Sequence, residues 1–323
     1  MKSFVLCAAI LALAGSLFAA SLTLERTIPL PGVEGRIDHF ASDAAGHRLF
    51  VAALGNNSVE VLGLDKGKVI HSIAGLDEPQ GIFFVRETNR LFVANGGNGV
   101  VRVFDGTTFA PLAKVKLGDD ADDVLYDPSA KLLYVGHGSG ALAAIDVVDN
   151  AIAADVPLDA HPEAFELEKN GPLAFINVPG AHDITVIDRR KRAVVSNWSL
   201  GFAAANFPMA LDEMHHRVLI GCRVPARLIV FDAESGKQVA KLDLHGDCDD
   251  LYFDQTRRKI YASCGEGFID VFSQMDADHY SLEESVKTER RARTSFFDGE
   301  RLYLAVPKRG GRSAEVQCYR IGN

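Results

Sequence analysis

Seven copies of one sequence unit follow each other along this chain of 323 residues. Each copy contains a short apolar run such as RLFVAA, which begins at Arg48, or LLYVGH, which begins at Leu132. One apolar position in each run serves as an anchor, and successive anchors are 42, 42, 41, 44, 42 and 42 residues apart. The anchors are Leu49, Leu91, Leu133, Ala174, Val218, Ile260 and Leu302. A fixed period of this length is typical of repeat architectures, in which each copy is one supersecondary unit.

The apolar residues of each copy form short runs rich in β-branched and aromatic types, broken by Gly, Asn and Asp. This pattern predicts strands and turns rather than helices. The first copy contains four such runs, DHFASD, RLFVAA, SVEVLGL and KVIHSIAG. A four-stranded unit at this period is typical of a propeller blade. The sequence therefore predicts an all-β fold, a seven-bladed β-propeller with four-stranded blades, as a single domain over residues 21–323.

The two ends of the chain complement each other. The last copy ends at Asn323 after only three strands. The segment LTLERTIPLPG, which begins at Leu22, resembles the fourth strand of other copies, such as GKQVAKLDLHG from Gly236. We therefore expect the N-terminal strand to complete the last blade, which closes the ring and removes exposed strand edges.

The repeats resemble those of a known bacterial family. The stretch EPQGIFFVRETNRLFVANGGNGVVRVFD, from Glu78, is similar to the YVTN-type repeat of YncE-like propellers, with LFVAN (residues 91–95) at the position of the Tyr-Val-Thr-Asn signature. The resemblance covers essentially the whole chain after residue 20. It implies the propeller fold but no single activity, because related propellers include binding proteins, lyases and electron-transfer partners. No catalytic motif of the family is carried over to this chain.

The first twenty residues have the features of a secretory signal peptide. Lys2 supplies a positive start, residues 4–13 are almost wholly apolar, and Ala19 and Ala20 lie in a plausible cleavage region. The apolar run is shorter than the roughly 20 residues that a spanning helix needs. We therefore expect residues 1–20 to be removed and the remaining chain to be periplasmic or secreted, without a membrane span.

Acidic residues outnumber basic ones, 43 to 34, and give a formal net charge of −9. A negative surface repels nucleic acid and anionic lipid, so no nucleic-acid partner is expected. We expect a monomer whose partner is a small molecule or another protein of the cell envelope.

Residues at the start of each blade's first strand differ from copy to copy, while the strands behind them stay regular. The first strands of a propeller line its central channel, so these residues surround one mouth of the channel. Variation on a regular scaffold is typical of a binding site, although charges at a solvated mouth can also be without function. The predicted ligand-binding residues are Arg36, Asp38, His39, Gln80, Asp122, His161, Glu163, Asp249, Arg291 and Arg293.

Two kinds of ligand fit these residues. The stretches GDDADD (residues 118–123) and GDCDD (residues 246–250) place paired acids in the third and sixth copies. Together with Asp38 and Glu163 they can form an oxygen-rich site for Ca²⁺ or Mg²⁺, so the cofactor expected here is a divalent cation. Arg36, Arg291 and Arg293, which belong to the neighbouring last and first copies, can instead hold a carboxylate or phosphate.

Four cysteines follow the signal segment. Cys248 begins the first strand of the sixth copy and Cys264 ends the second, so the hairpin brings them nearly opposite each other. In an oxidising compartment this placement favours a Cys248–Cys264 disulfide. The alternatives are free thiols, or a soft-metal site formed by Cys222, Cys248 and Cys264 near His137.

Two classes of function remain. The first is an exported binding or interaction propeller that holds a small ligand, ion or partner at the channel mouth. The second is an enzyme at the same mouth, a lyase or hydrolase in which His39 or His161 acts as base and a metal ion or arginines stabilise negative charge. The sequence contains no nucleophile elbow, phosphate-binding loop or dinucleotide fingerprint in a suitable context.

Overall fold

The computed structural model describes residues 21–322, which form seven four-stranded antiparallel sheets. Blade 1 consists of β2 (Phe40–Asp43), β3 (Arg48–Ala53), β4 (Ser58–Gly63) and β5 (Lys68–Ala74). Blade 2 consists of β6 (Pro79–Val85), β7 (Arg90–Asn95), β8 (Val100–Asp105) and β9 (Pro111–Lys116). Blade 3 consists of β10 (Ala121–Asp127), β11 (Leu132–His137), β12 (Ala141–Asp146) and β13 (Ala151–Pro157).

The remaining blades have the same strand order. Blade 4 consists of β14 (Phe165–Leu167), β15 (Leu173–Val178), β16 (Asp183–Asp188) and β17 (Ala193–Ser199). Blade 5 consists of β18 (Ala204–Asp212), β19 (Arg217–Val224), β20 (Ala226–Asp232) and β21 (Gln238–Asp243). Blade 6 consists of β22 (Cys248–Asp254), β23 (Lys259–Cys264), β24 (Phe268–Gln274) and β25 (Tyr280–Lys287). Blade 7 combines β26 (Ser295–Phe297), β27 (Arg301–Val306) and β28 (Ala314–Ile321) with β1 (Leu22–Leu30). Single 3-10 turns lie at Leu54–Asn56, Arg86–Thr88 and Pro179–Ala181.

The predicted all-β fold, a seven-bladed β-propeller of four-stranded blades, is confirmed. So is closure of the last blade by the N-terminal strand, since β1 pairs antiparallel with β28 from Leu22 opposite Ile321 to Leu30 opposite Ala314. The predicted signal peptide, residues 1–20, lies outside the described residues. In residues 21–322 no helix is long and apolar enough to cross a membrane.

Burial differs across each blade. The second strands are almost wholly buried, because both of their faces pack against neighbouring blades, and they have near-continuous apolar sequences such as LFVAA in β3. The outermost strands, such as β5 and β9, are mostly exposed. One apolar cluster joins Phe50 and Val59 of blade 1 to Ile82 and Leu91 of blade 2. The core is therefore a ring of interfaces between blades.

The first strands surround the channel. Each of β2, β6, β10, β14, β18, β22 and β26 contacts the first strands of the two neighbouring blades, and β26 contacts β2 to complete the ring. All of these strands begin at the same face of the molecule. We call this face the mouth face; it also carries the loops that join one blade to the next.

Candidate functional site

Bulges near the starts of the first strands determine which side chains reach the channel. In β10 the regular pairing with β11 is interrupted across Asp122 and Asp123. Equivalent interruptions in β22, β6 and β18 fall at Asp249, Gln80 and Phe207. A bulge releases a side chain from the up-and-down alternation of the strand, and bulges are frequent beside functional sites. Through these bulges, one or two side chains from each of these blades point into a common space.

That space is a cavity of about 280 Å³ at the channel mouth. Eight of the ten predicted ligand-binding residues line it: Arg36, His39, Gln80, Asp122, His161, Glu163, Asp249 and Arg293. Asp120, Asp123, Ala164, Phe207 and Arg223 complete the lining. Most of these side chains are charged, which differs from the largely apolar pockets that take drug-like molecules. The cavity is suited to an ion or a small polar ligand.

Two predicted residues lie elsewhere. Asp38 is fully buried beside the cavity rather than in its lining. Arg36 Nη2 lies 2.8 Å from Asp38 Oδ2, yet neither carboxylate oxygen of Asp38 has a hydrogen bond of good geometry within the described part of the chain. Burial raises the pKa of Asp38, against the opposing effect of the His39 and Arg36 charges. Arg291 is exposed, has a left-handed backbone (φ 70°), and lines a neighbouring groove.

Arg223 lines the cavity although it is not among the residues predicted from the sequence. It lies near the end of β19, where its guanidinium carbon is 3.9 Å from the centre of the Phe207 ring, close enough for a cation–π contact. Arg223 also pairs with Asp249 and donates a hydrogen bond to the carbonyl of Cys248. The equivalent position in several other copies is Gly or Pro, as at Gly96 and Pro307, so an arginine there was a usable signal.

Histidines and carboxylates gather on one side of the cavity. His39 Nε2 lies 2.9 Å from Asp123 Oδ1, and its Nδ1 lies 3.8 Å from Asp250 Oδ1. His161 Nδ1 donates to the Gly138 carbonyl at 2.6 Å, which turns Nε2 toward Asp122 Oδ2 at 3.7 Å.

The same side chains form two overlapping groups of three potential metal ligands, which we call the first and second triads. One group is His39, Asp122 and Asp123, and the other is Asp122, His161 and Glu163. In each group the ligand atoms lie within 4.8 Å of one another, and Asp122 belongs to both. Mixed imidazole and carboxylate ligands suit Zn²⁺ and other transition-metal ions.

The buried charges alter the protonation of both histidines. Burial lowers the pKa of His39, but the carboxylates of Asp123 and Asp38 outweigh it and hold that pKa well above its usual value. The same contact keeps the pKa of Asp123 below its usual value despite burial. Burial also lowers the pKa of His161, while Asp122 and the Gly138 carbonyl raise it to about 9. Without a metal ion, this side of the cavity therefore holds protons on its histidines at neutral pH.

The carboxyl groups of the second triad bind protons readily as well. Burial, followed by the nearby charges of Asp122 and Asp123, raises the pKa of Glu163 to about 8. Burial raises the pKa of Asp122 to about 6, although the hydrogen bond from His161 opposes the shift. Clustered carboxyl groups that cannot all ionise are a common feature of functional sites.

In the sixth copy, arginines pair with two of the acids that the sequence assigned to an oxygen-rich cation site. Asp249 pairs with Arg223 and with Arg293, whose Nε lies 2.9 Å from Asp249 Oδ2. Arg293 also lies 2.6 Å from Asp247. Asp250 of the same stretch pairs with no arginine in residues 21–322 and lies 3.8 Å from His39 Nδ1, so a Ca²⁺ or Mg²⁺ site built from both acidic stretches stays a prediction. Both triads of potential metal ligands in the cavity combine histidine with carboxylates.

The cysteine prediction has a mixed outcome. Cys248 and Cys264 lie directly opposite each other in the β22–β23 pair, as the sequence indicated. Both are free, buried cysteines in the structure, so the predicted disulfide is not formed in it. The alternative soft-metal site is not assembled in residues 21–322, since no group of three potential ligands includes a cysteine. His137 instead lies 3.0 Å from Asp155.

The disulfide stays a prediction for the exported protein, because opposite residues of an antiparallel pair have a Cα separation that a disulfide can bridge. Non-reducing peptide mass spectrometry of protein purified from its native compartment is expected to show Cys248 linked to Cys264. A reduced and alkylated sample serves as control. Alkylation of both thiols without prior reduction would contradict the prediction.

The fold and this cavity define the class of protein, a seven-bladed β-propeller with a polar cavity at the mouth of its channel. No protein-family model and no curated protein sequence matches the chain. Solved structures match the fold closely. A chain of a mitotic checkpoint complex has a TM-score of 0.80 at 16% identity, covering 100% of this chain and 99% of that one.

Two further structures are similar. The WD40 repeats of RRP9 have a TM-score of 0.79 at 10% identity, covering 94% of this chain and 98% of that one. A chain of the Kuenenia stuttgartiensis hydrazine synthase has a TM-score of 0.71 at 18% identity, covering 85% of this chain and 95% of that one. At such identities the likeness shows the propeller fold and nothing about activity.

Proposed function

We propose that this protein is an exported YVTN-type propeller that binds a divalent transition-metal ion, and with it a small ligand, at its channel mouth. The observation that carries the proposal is the pair of histidine–carboxylate triads that share Asp122. Three protein ligands with an open position are typical of zinc sites that also take a water or a ligand.

The charge distribution supports the same conclusion. Asp122 and Glu163 have raised pKa values because several carboxyl groups are buried together. Asp38, fully buried beside them, has no hydrogen bond from any described residue. A divalent cation among these groups replaces the protons that they otherwise retain and compensates their negative charge. Solvated surface charges would not require such compensation.

The direct test is an isothermal calorimetric titration of untagged, metal-free protein with Zn²⁺. We expect stoichiometric binding. The protein as purified from its native compartment, without chelators, is expected to contain a stoichiometric transition metal by elemental analysis. Absence of Zn²⁺ binding in the titration would overturn the proposal.

The affinity for Zn²⁺ is expected to fall as the pH falls. The metal ion binds only deprotonated ligands, and in the free protein His161 has a pKa of about 9 and Glu163 a pKa of about 8. Below these values each bound ion must displace protons, so affinity drops by at least about tenfold per pH unit between pH 7.5 and 6. Calorimetry in two buffers of different ionisation enthalpy measures the protons released. A binding enthalpy that is the same in both buffers would contradict this expectation.

A second candidate function is a metal-assisted lyase or hydrolase. The observation that favours it is the position of His39, which Asp123 holds at 2.9 Å in the same cavity as Arg36, Arg223 and Arg293. An ion bound by Asp122, His161 and Glu163 leaves His39, which its carboxylate neighbours keep protonated, free to act as a general acid, with arginines available to stabilise an anion. The enzyme is distinguished by turnover of ester or phosphoester substrates that His39→Gln abolishes while Zn²⁺ remains bound. A binding protein shows no turnover.

The proposed location is the periplasm or the exterior, and the proposed partner is a small molecule or an envelope protein. The signal-like first twenty residues support export. Cell fractionation with N-terminal sequencing of the mature chain tests it, and a start near residue 21 is the expected result.

A further inference from the structure

A second depression of about 520 Å³ lies beside the cavity on the mouth face. Its walls are the chain segment leading into blade 1 (residues 35–37), the segment leading into blade 7 (residues 290–293), and the β27–β28 loop (residues 307–310). Arg36 and Arg293 line both spaces, so the two are neighbours along one surface. We call this depression the cationic groove.

The lining of the cationic groove is strongly positive. Its charged side chains are Arg36, Arg290, Arg291, Arg293, Lys308 and Arg309, with Asp247 as the one acid among them. The chain as a whole has a net charge of −9, so the groove departs in sign from its surroundings. Like charges held close together repel unless an anion neutralises them.

Intramolecular ion pairs satisfy only some of these cations. Lys308 pairs with Glu34, and Arg309 Nη2 lies 2.8 Å from Glu289. Arg36 pairs with Asp38, and Arg293 pairs with both Asp247 and Asp249. These acids take up part of the positive charge.

Two arginine side chains of the groove, and one nitrogen of a third arginine, have no partner within residues 21–322. Arg290 and Arg291 are exposed and form no ion pair with any residue in the described range 21–322. Arg309 Nη1 is buried and has no hydrogen-bond acceptor among the described residues. Exposed arginines alone are readily explained by hydration, but a buried guanidinium nitrogen without an acceptor is costly. The groove therefore holds more positive charge than the acids around it neutralise.

We propose that the cationic groove binds a multiply charged oxyanion, a phosphate or carboxylate group of the same ligand whose other end reaches the channel cavity. Guanidinium groups match the planar, two-oxygen edge of such anions and can donate two parallel hydrogen bonds. Only the position of the ligand's other end rests on the proposed function, because anion binding in the groove needs no metal ion.

Pyrophosphate and tricarballylate are suitable probes, since one offers phosphate oxygens and the other carboxylates. Protein freed of metal on a chelating resin is titrated with each at low ionic strength by isothermal calorimetry. At least one probe is expected to bind, more weakly as salt is added. The tighter probe identifies the class of oxyanion. If neither binds, the proposal fails.

Arg290→Gln/Arg291→Gln removes two arginines whose side chains form no hydrogen bond or ion pair with residues 21–322. The double variant is expected to bind the probe about tenfold more weakly or worse, since charge-assisted hydrogen bonds are lost. Arg86→Gln/Lys131→Gln, which removes two exposed charges at turns on the opposite face, is the matched control. Equal losses in the two variants, or none in the first, would show that the groove is not the site.

Zn²⁺ titration of the same variants separates this inference from the proposed function. Neither pair of substitutions touches a triad residue, so Zn²⁺ affinity is expected to stay within about twofold of the original protein. Zn²⁺ binding without probe binding overturns the groove alone. Probe binding without Zn²⁺ binding contradicts the proposed metal site and supports anion binding in the groove.

Discussion

Asp122→Asn is expected to abolish Zn²⁺ binding and, at the same time, to raise the melting temperature of the metal-free protein. Asp122 is 8% exposed and is the one residue common to both triads, so its loss disables both. An amide is a much weaker ligand than a carboxylate, and we expect the affinity to fall by about a hundredfold or more.

The stability effect has the opposite sign. Burial raises the pKa of Asp122 to about 6, so at pH 7 the folded protein must hold an ionised carboxylate that the fold disfavours. A carboxyl group whose folded-state pKa is raised destabilises the protein above that pKa and ceases to do so at low pH. A neutral amide removes this destabilisation, and the melting temperature is expected to rise by roughly 2 °C or more at pH 7.

Asp120→Asn is the matched control, because Asp120 lines the same cavity but belongs to neither triad. Its carboxylate accepts a hydrogen bond from Gln80 at 3.1 Å and lies 3.8 Å from His161 Nδ1, so the substitution removes one negative charge beside the site without removing a ligand. Calorimetric titration and thermal melts at pH 7 and pH 4.5 measure both effects. Zn²⁺ binding that survives Asp122→Asn, or is lost equally in the control, would refute the shared-ligand arrangement.

The fold was predictable because the repeat determines it. Seven anchors at a nearly constant period require seven equivalent units, and strand-length apolar runs such as RLFVAA (residues 48–53) leave no room for helices. The N-terminal segment from Leu22 resembled a fourth strand and pairs as one with β28. Because one strand pattern must fit all seven copies, an ambiguous stretch in one copy does not alter the predicted fold.

The site was predictable only as a location. Alignment of the copies placed variable polar residues at one channel mouth, and most of them line the cavity. Their roles depend on distances between blades that are remote in sequence, as in the pairing of Asp249 with Arg223 and Arg293. Sequence spacing carries no signal for such pairs. For that reason the sequence could not show that arginines from blade 5 and from the segment leading into blade 7 pair with the acids of the sixth blade.

Arg291 shows a related limit. It aligns with Asp120 of the third copy, which has a similar left-handed backbone and lines the cavity, yet Arg291 lines the groove outside. Asp38 shows the converse, because its position at the mouth was predicted while its complete burial was not. Side-chain direction at a bulge or turn is set by backbone geometry, which residue type alone does not reveal.

Leu30→Ala is expected to destabilise the whole propeller by about 2–5 kcal/mol, the usual range for deleting a fully buried leucine side chain. Leu30 is 0% exposed and packs in a cluster that includes Val33 and Phe40, where β1 meets blade 1. Leu24→Ala in the same strand is the matched control, since Leu24 is 48% exposed and should cost under about 0.5 kcal/mol. Urea denaturation, followed as a single transition, measures both.

Ring closure makes a further distinction that this pair of variants can test. If β1 is an integral part of the last blade, its packing contributes to the stability of every blade, and Leu30→Ala lowers the global urea midpoint. If β1 is a detachable strand, the same substitution accelerates amide hydrogen exchange only in β28, its pairing partner, and leaves the midpoint unchanged. The burial of Leu30 against residues of blade 1 as well as blade 7 favours the first outcome, since detachment would open two interfaces at once.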